Sequence, residues 1–332
     1  MISRVAESCF WMLRYLERAD NTAGAIGVNL SHVLDSGGGV AESWEPVLVV
    51  TGEMPRFRER FGEGAASDGE LVQRYLTWDE ENPASIISSI RAARDNARTI
   101  RETISREMWE SVNLIWLWLQ GPGSKRSYDV DRSDFFEALE RSIQGFRGTA
   151  PDTMLHEEPL DFMRLGMQLE RAGMTSRILD VRYHMEAVAD ADESTVVDFG
   201  PWHAILRSCS GIEAFLKRGR SFSGKNIATF LVGDPAFPRS ILHCIERAEH
   251  ALSRILAEEV GSTVLMPQRN TPRMLGQLRA MVSSLEVADM REGELHEALT
   301  RVIDSLAEVC NAVHVEFFDF DEASLSAPES PQ

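Results

Sequence analysis

The chain has 332 residues and a formal net charge of −18 at pH 7, with 34 Lys and Arg against 52 Asp and Glu. This balance excludes the global basic field that nonspecific DNA or RNA binding uses, and it disfavours attachment to an anionic membrane surface. Apolar residues make up 43% of the chain, which is enough for a sizeable core. The longest apolar run, residues 114–119, is far shorter than the roughly 20 residues of a membrane span.

The four cysteines are far apart and form neither a CxxC pair nor a disulfide pattern. We therefore expect reduced thiols and a cytoplasmic location. Arg4 and Glu7 interrupt the apolar residues at the start of the chain, which is untypical of a secretory signal.

Helical patterns dominate the chain, and no alternating strand pattern persists. The predicted helices cover residues 1–34, 44–61, 70–78, 84–119, 132–146, 160–189, 202–218, 226–231, 238–260, 274–288 and 294–318. Segments rich in Gly, Pro and polar residues separate them, including loops at 121–124, 148–159, 190–200 and 261–272. The last residues, 321–332, contain few apolar side chains and are predicted to be disordered.

The first helix carries two stripes of side chains on opposite faces. The apolar stripe consists of Val5, Cys9, Met12, Leu16, Ala19, Ala23 and Leu30. The polar stripe consists of Arg4, Glu7, Trp11, Arg14, Arg18 and Asn21, with Glu17 at its margin. One interpretation is a solvated face whose Glu/Arg pairs contribute about 0.3–0.5 kcal/mol each. The excess of Arg beside a Trp instead indicates a bound anion or the acidic surface of a partner.

Three features of the first half recur in the same order in the second. They are Leu-Glu-Arg-Ala at 16–19 and 169–172, Trp at 44 and 202, and Pro-x-Ser-Ile at 83–86 and 238–241. The second copies lie 153, 158 and 155 residues after the first, counted from Glu17, Trp44 and Pro83. This near-constant offset predicts an internal duplication. In Pro-x-Ser-Ile, the Pro suits the first helical turn and the Ser can accept free backbone N–H groups.

We therefore predict one all-α domain over residues 1–320, a helical bundle of two similar halves at about 1–150 and 151–320. The helix opened by Pro83 carries a further stripe of Arg94, Arg98 and Arg101. If this stripe meets that of the first helix, the bundle encloses an Arg/Glu pocket, because buried charges need partners or a ligand. The candidate ligand-binding residues are Arg4, Glu7, Trp11, Arg14, Glu17, Arg18, Asn21, Arg94, Asn96, Arg98, Arg101, Glu102, Glu107, Glu170 and Arg171.

No catalytic signature stands out, and we expect no cofactor and no metal. Gly219 and Gly224-Lys225 have the spacing of a phosphate-binding loop, but Asn226 stands where that motif has Ser or Thr. His243, Glu246 and His250 share a helical face but lack the Glu-x-x-His spacing of di-iron bundles. The tryptophans at 109, 116 and 118 are expected to pack in the core, with an exposed docking patch as the alternative.

The sequence resembles the bacterial Alpha-E domain family over nearly all of its length, to about residue 320. The resemblance rests on residues 1–7, 11, 14–21, 93–102, 107–110, 167–172 and 238–241. It implies a cytoplasmic, all-helical protein without a settled activity. Members are commonly encoded beside, or fused to, a circularly permuted ATP-grasp ligase and a transglutaminase-like peptidase, which implies a setting of peptide or amide-bond synthesis or modification.

The family's name marks glutamates. The matching positions here are Glu7, Glu17, Glu102, Glu107 and Glu170. Gly173 departs from the pattern, because the first copy of the motif has Asp20 at that place. The two copies therefore need not have the same role.

Three hypotheses follow. The first is an accessory or substrate-handling component that works with an ATP-grasp ligase and a transglutaminase-like protein, as the resemblance implies. The second is a stand-alone enzyme, in which Arg14, Arg18, Arg94 and Arg98 hold a carboxylate or phosphate of an amino-acid or peptide substrate and Glu17 or Glu7 is the general base. The third is a purely structural Arg/Glu network. A homodimer is compatible with the sequence, which identifies no self-complementary surface.

Overall fold

The computed structural model describes residues 3–35, 44–189, 200–260 and 269–319. Within these ranges the chain is helical and contains no strand, which confirms the all-α prediction. The helices are α1 (Ser3–Asp35), α2 (Glu45–Thr51), α3 (Met54–Phe61), α4 (Gly69–Trp78), α5 (Ile86–Thr99), α6 (Arg106–Gln120), α7 (Pro122–Val130), α8 (Arg132–Thr153), α9 (Glu158–Ala189), α10 (Gly200–Ser208), α11 (Ile212–Lys217), α12 (Gly224–Gly233), α13 (Ile241–Val260), α14 (Thr271–Ser283) and α15 (Glu292–Val313). A π-helical segment, His314–Phe318, extends α15.

Some predictions fall on residues outside these ranges. They are the disordered tail at 321–332, the first ten residues of the polar turn before α10, and most of the loop after α13. Among the described residues, no helix is both long and apolar enough to cross a lipid bilayer.

The two long helices α1 and α9 pack against each other at the centre of the fold. Helices α5 and α8 pack on α1, and α13 and α15 pack on α9. Contact between the central helices is close at Gly166, where a Cβ atom would lie 2.3 Å from the backbone oxygen of Phe10. Glycine at this position therefore lets α9 approach the backbone of α1 directly.

Helix α1 is buried on more than one side, because it packs against α5, α8 and α9 at once. Its predicted apolar stripe is largely buried, as expected. The polar stripe is not the solvated face of the first interpretation, since Asn21 and the neighbouring Glu17 and Asp20 are buried as well. Arg14 and Arg18 retain 12% and 25% of their side-chain exposure.

Three segments predicted as single helices are each two helices. The segment 44–61 divides at Gly52, which has a φ of +78° and ends α2. The segment 84–119 divides after Ile100, and the Ser105 hydroxyl caps α6 by accepting the Met108 N–H at 3.1 Å. The segment 202–218 divides near Ser210, which has a φ of +50°.

The opposite error occurs in α8, where a loop was predicted from residue 148. The helix continues to Thr153 and includes Gly148 and Pro151. Pro151 lies in the last turn, where the Met154 N–H still donates to the Ala150 carbonyl at 3.1 Å. The prediction overrated these two helix breakers, because packing of α8 on α1 holds the segment helical.

The two Pro-x-Ser-Ile motifs cap helices, as predicted. The Ser85 hydroxyl accepts the Ser88 N–H at 3.3 Å, and the Ser240 hydroxyl accepts the His243 N–H at 3.1 Å. Each hydroxyl also donates to a carbonyl six residues earlier, at 2.7 Å for Ser85 and 2.5 Å for Ser240. The two serines therefore close the same kind of turn before α5 and α13.

Candidate functional site

The two Glu-Arg dipeptides on the central helices pair with each other across the α1–α9 interface. Arg18 donates from Nε to Glu170 Oε1 at 2.8 Å, and Arg171 donates from Nε to Glu17 Oε1 at 2.8 Å. Each Glu therefore binds the Arg that follows the other Glu. The third Glu-Arg-Ala sequence, at 246–248 on α13, makes no ion pair with these four side chains.

Glu170 receives hydrogen bonds from two arginines of α1. Arg14 donates from Nε and Nη2 to Oε2 at 2.9 and 2.7 Å, and Arg18 also donates from Nη2 to Oε2 at 3.2 Å. Burial alone would raise the pKa of Glu170, but Arg18 and Arg14 outweigh it and hold the pKa well below its usual range. Glu170 is therefore a fixed carboxylate that orients two guanidinium groups.

Aromatic rings support both arginines from the other side. The Arg14 guanidinium carbon lies 4.7 Å from the centroid of the Trp11 ring, and that of Arg18 lies 5.6 Å from the Tyr15 ring. Trp11 and Tyr15 in turn stack on each other with centroids 5.4 Å apart. Trp11 thus orients an arginine, which explains its place in the polar stripe.

Arg177, two turns after Glu170 on α9, completes this group. Its Nε donates to the Val50 carbonyl of α2 at 2.9 Å. Among the described residues, no carboxylate lies within ion-pair distance of it. Burial lowers the pKa of Arg177 below its ordinary value, and the nearby Arg18 and Arg14 add to this while Glu170 opposes it.

The three arginines line a cavity of about 400 Å³, which we call the Arg18 cavity. Its other walls are the α2–α3 turn with Gly52 and Glu53, and the α15 face with Leu306 and Cys310. Glu53 is already engaged, because it binds Arg56 at 2.9 Å and accepts the Tyr75 hydroxyl at 2.7 Å. Three guanidinium groups thus share one available carboxylate, Glu170.

Glu17 has no exposed side-chain surface and lies among three arginines. Arg171 donates from Nε and Nη2 at 2.8 and 2.9 Å, Arg147 donates from Nη1 at 2.6 Å, and Arg239 lies 3.5 Å away. Burial alone would raise the pKa of Glu17, but Arg171, Arg239 and Arg147 hold it well below its usual range. Arg147 and Arg239 also bind Asp20, at 2.9 and 3.0 Å.

These three arginines line a second cavity, of about 530 Å³, which we call the Arg171 cavity. Its remaining walls include apolar side chains of α1, α8 and α9, among them Leu13, Pro151 and Met163. The sequence-based candidates include Arg171 but neither Arg147 nor Arg239. The sequence could have indicated Arg239 as a candidate, because it lies inside the repeated Pro-x-Ser-Ile motif. The first copy of the motif has Ala84 at the same place.

The predicted arginine stripe of α5 does not meet that of α1. Arg94 donates from Nε to Asn113 Oδ1 at 2.8 Å and lies 5.7 Å from the Trp109 ring, while Arg101 lies 4.8 Å from the same ring. Arg98 is 64% exposed, and its nearest carboxylate is Asp95 at 3.5 Å. Arg94 and Arg101 thus lie beside Trp109 of α6, and none of the three arginines lines either cavity.

The other candidate residues are scattered. Arg4 is exposed, as are Glu102 and Glu107. Glu7 lies 3.9 Å from Nδ1 of His314. Asn96 donates to the Ala92 carbonyl within its own helix at 2.8 Å. Asn21 joins the Arg171 group, because it accepts from Arg239 at 2.7 Å.

The residues suggested for metal binding or docking have ordinary surroundings. His243 Nδ1 lies 2.7 Å from the Pro235 carbonyl oxygen. In the described ranges, no three His, Cys, Asp or Glu side chains are grouped so that they could hold a metal ion. Trp109, Trp116 and Trp118 are partly buried and pack against the core, which supports the core-packing interpretation.

A family model described as a predicted alpha-helical domain with a conserved ER motif, Alpha-E, matches residues 1–318. The chain belongs to the Alpha-E family. The resemblance read from the sequence is thus confirmed over nearly the whole chain. In this Alpha-E chain, the Glu-Arg dipeptides of α1 and α9 form the paired centre just described.

The curated relatives of this Alpha-E chain are uncharacterized. They include a protein of Mycobacterium bovis and two proteins from strains of Mycobacterium tuberculosis, each 24% identical over 329 residues. The match covers 93% of this chain but 36% of each relative, so the chain spans about a third of their length. No solved structure matches the chain.

Proposed function

We propose that this protein is an accessory, substrate-handling module that binds the anionic group of an amino-acid or peptide substrate in the Arg18 cavity. One observation carries the proposal. Arg177 lies in that cavity without a carboxylate partner among the described residues, while Arg14 and Arg18 share Glu170.

The charge balance favours a bound anion. A partly buried cation without a counter-ion is costly, and the cost falls when an anion binds beside it. Each guanidinium has five N–H donors, of which Arg177 uses one in the hydrogen bonds observed. In the described part of the chain, no guanidinium nitrogen of Arg14, Arg18 or Arg177 is buried without a partner. The unused donors therefore keep accessible surface on side chains that line the cavity, and they suit a forked contact with a carboxylate.

The state of the Glu17 and Glu170 carboxylates favours a binding role over a catalytic one. Arginines saturate both oxygens of Glu170 and of Glu17, and the pKa of each carboxyl is depressed. A carboxylate held in this way is a weak base near neutral pH. The stand-alone enzyme, with Glu17 as its general base, is therefore the less favoured alternative.

The length of the relatives supports an accessory role. Because the match covers 36% of each relative, a domain of this kind occurs joined to other polypeptide. The family resemblance suggests partners, namely a circularly permuted ATP-grasp ligase and a transglutaminase-like protein. We propose that the protein serves such an amide-bond system in the cytoplasm, delivering or positioning a substrate that its partner modifies.

We also propose that the two halves arose by internal duplication. The reciprocal pairing of Glu17 with Arg171 and of Arg18 with Glu170 supports this, as do the matched caps at Ser85 and Ser240. The positive φ angles of Gly52 and Ser210, 158 residues apart, add a third correspondence.

Cys310 offers a direct test, because it lines the Arg18 cavity while the other three cysteines are buried. We expect glutamate, glutamine or a short peptide to slow alkylation of Cys310, with ATP and phosphate as comparison ligands. Arg177→Gln should abolish the protection and leave the fold intact, because it removes an unpaired charge and keeps a donor for Val50. Arg98→Gln is the matched control, since Arg98 is exposed and remote.

Two results would contradict the binding proposal: no ligand of the panel protects Cys310, or protection persists in Arg177→Gln. The partner proposal is tested separately by affinity purification of the tagged protein from its native host with mass spectrometry. Recovery of an ATP-grasp or transglutaminase-like protein supports it, and recovery of neither counts against it.

A further inference from the structure

We infer that the Arg171 cavity is a second, separate ligand site, which takes a singly charged carboxylate attached to an apolar body. A peptide C-terminus or an N-acylated amino acid with an apolar side chain has this chemistry. The inference does not rest on the proposed function, because different residues and a different cavity carry it.

The Arg171 cavity has the size and the apolar wall of a small-molecule site. Its volume of about 530 Å³ is within the usual range of small-molecule sites. The wall combines Leu13 of α1, Pro151 of α8, and Leu160, Met163 and Met167 of α9. Unbranched Met side chains adapt to ligands of different shape, so this wall suits an apolar group without demanding one outline.

Four arginines contribute to the lining. Arg164 is paired with Asp161 at 3.1 Å. The other three, Arg147, Arg171 and Arg239, have side chains that are 15%, 11% and 14% exposed. These three guanidinium groups face two carboxyl groups, Glu17 and Asp20. One positive charge is therefore left over beside the apolar wall. A single carboxylate would balance it.

Free donors are available for that carboxylate. Among the hydrogen bonds of the described residues, Arg147 uses Nη1, and Arg171 uses Nε and Nη2. The other nitrogens of these two groups are not buried without partners, so they remain reachable by solvent. Both side chains line the cavity, and their unused N–H groups can donate to the two oxygens of a carboxylate there.

The two cavities differ in ligand preference for a physical reason. In the Arg18 cavity, three arginines share one available carboxylate, and much of the lining is polar. In the Arg171 cavity, the surplus is one charge and the wall is mainly apolar. A compact anionic group with little apolar surface is thus better suited to the first cavity, and an amphipathic carboxylate to the second.

A thiol reporter at position 148 tests the inference in the full chain. Gly148 lies on the lining, is exposed, and has nothing within 4 Å of a Cβ, so Gly148→Cys should fold. The background is Cys310→Ser, which removes the thiol of the other cavity. The probes are N-acetyl-leucine and N-acetyl-phenylalanine, with N-acetyl-leucinamide as the uncharged match and phosphate as the small anion.

We expect a Kd of about 1 mM for N-acetyl-leucine and N-acetyl-phenylalanine. At about ten times that concentration, each should slow alkylation at position 148 about tenfold. N-acetyl-leucinamide and phosphate should have little effect on the alkylation rate. Met167→Glu should abolish this protection, because it supplies the missing negative charge from the cavity wall. Met167→Gln has nearly the same size and no charge, and it should retain protection. Thermal unfolding of each variant separates lost binding from lost folding.

Three outcomes overturn the inference. They are equal protection by N-acetyl-leucinamide, retention of protection in a folded Met167→Glu variant, and absence of protection by either carboxylate. None of these outcomes affects the alkylation of Cys310, which is measured in the protein that retains this cysteine. Failure of this inference is therefore distinguishable from failure of the proposed function.

Discussion

The Glu17 carboxylate has no exposed surface and is surrounded by three arginines. None of these arginines lies on α1, and two of them, Arg171 and Arg239, lie in the second half of the chain. The charges are costly to bury but satisfy one another. Removing the single carboxylate leaves three guanidinium groups with Asp20 as their remaining counter-ion. The stability of this centre therefore depends on Glu17 more than on any one of its arginines.

We expect Glu17→Gln to lower the unfolding free energy by about 3–5 kcal/mol, because it leaves buried cations uncompensated. Glu102→Gln, at an exposed position, should change it by less than about 0.5 kcal/mol. Chemical denaturation of both variants measures the difference. Equal stability of the two would mean that solvent, and not Glu17, compensates these arginines.

Glu140 on α8 gives a pH-dependent prediction. Burial, together with the nearby Asp20, raises its pKa from an ordinary 4.5 to about 7. Between these values the folded chain keeps a proton that the unfolded chain releases, so this group lowers stability as pH rises from 4.5 to 7. We expect Glu140→Gln to match the wild type near pH 5 and to be more stable by about 1–2 kcal/mol at pH 8. Thermal melts at both pH values test this, and a pH-independent effect would contradict it.

Part of this residue-level picture could be predicted. The repeated dipeptide and the stripe of α1 identified Arg14, Glu17 and Arg18, because helical spacing decides which side chains share a face. Arg147 and Arg177 could not be found in that way. Their roles depend on α8 and α9 lying against α1, and spacing within one helix carries no information on that docking.

At the scale of elements, the α1–α9 pair organises the fold, and Gly166 permits its close contact. The sequence predicted both helices with nearly correct bounds, because their patterns are long and regular. It missed the breaks near Gly52, Ile100 and Ser210, where the chain turns after a few residues in conformations that packing imposes. Short helices depend on such tertiary contacts more than on propensity.

Two glycine substitutions test the central contact. Gly166→Ala should destabilise the protein by about 1–3 kcal/mol, because its Cβ would lie 2.3 Å from the Phe10 oxygen and force the helices apart. Gly145→Ala on α8 is the matched control, since nothing lies within 4 Å of its Cβ. This control should be stabilised by about 0.5–1 kcal/mol. Denaturant midpoints provide the measurement, and a neutral Gly166→Ala would disprove the close contact.

For the whole molecule, the reciprocal Glu-Arg pairs join residues on either side of the α8–α9 connection. Glu17 depends on Arg171 and Arg239, and Glu170 depends on Arg14 and Arg18. Neither half therefore satisfies its own buried charges. We therefore expect the chain to unfold as one cooperative unit and not as two domains that fold alone.

We expect fragments 1–156 and 157–332 to lack cooperative unfolding when each is produced alone. Mixing or co-expressing them should restore a complex with a single transition, because α1 and α9 then meet and pair their charges. Circular dichroism melts of each fragment and of the mixture decide the point. A cooperative melt of either fragment alone would refute the dependence of one half on the other.

The reciprocal pairing also has a consequence for the order of events during protein synthesis. Arg147, a partner of Glu17, lies 130 residues further along the chain, and Arg239, a partner of Asp20, lies 219 residues further than Asp20. At about 5–20 residues per second, the ribosome needs roughly 10–45 s to make the chain between Asp20 and Arg239. Through that interval Glu17 and Asp20 lack the contribution of Arg239 to their counter-charge. The central charges of this protein therefore assemble late, once most of the chain has left the ribosome.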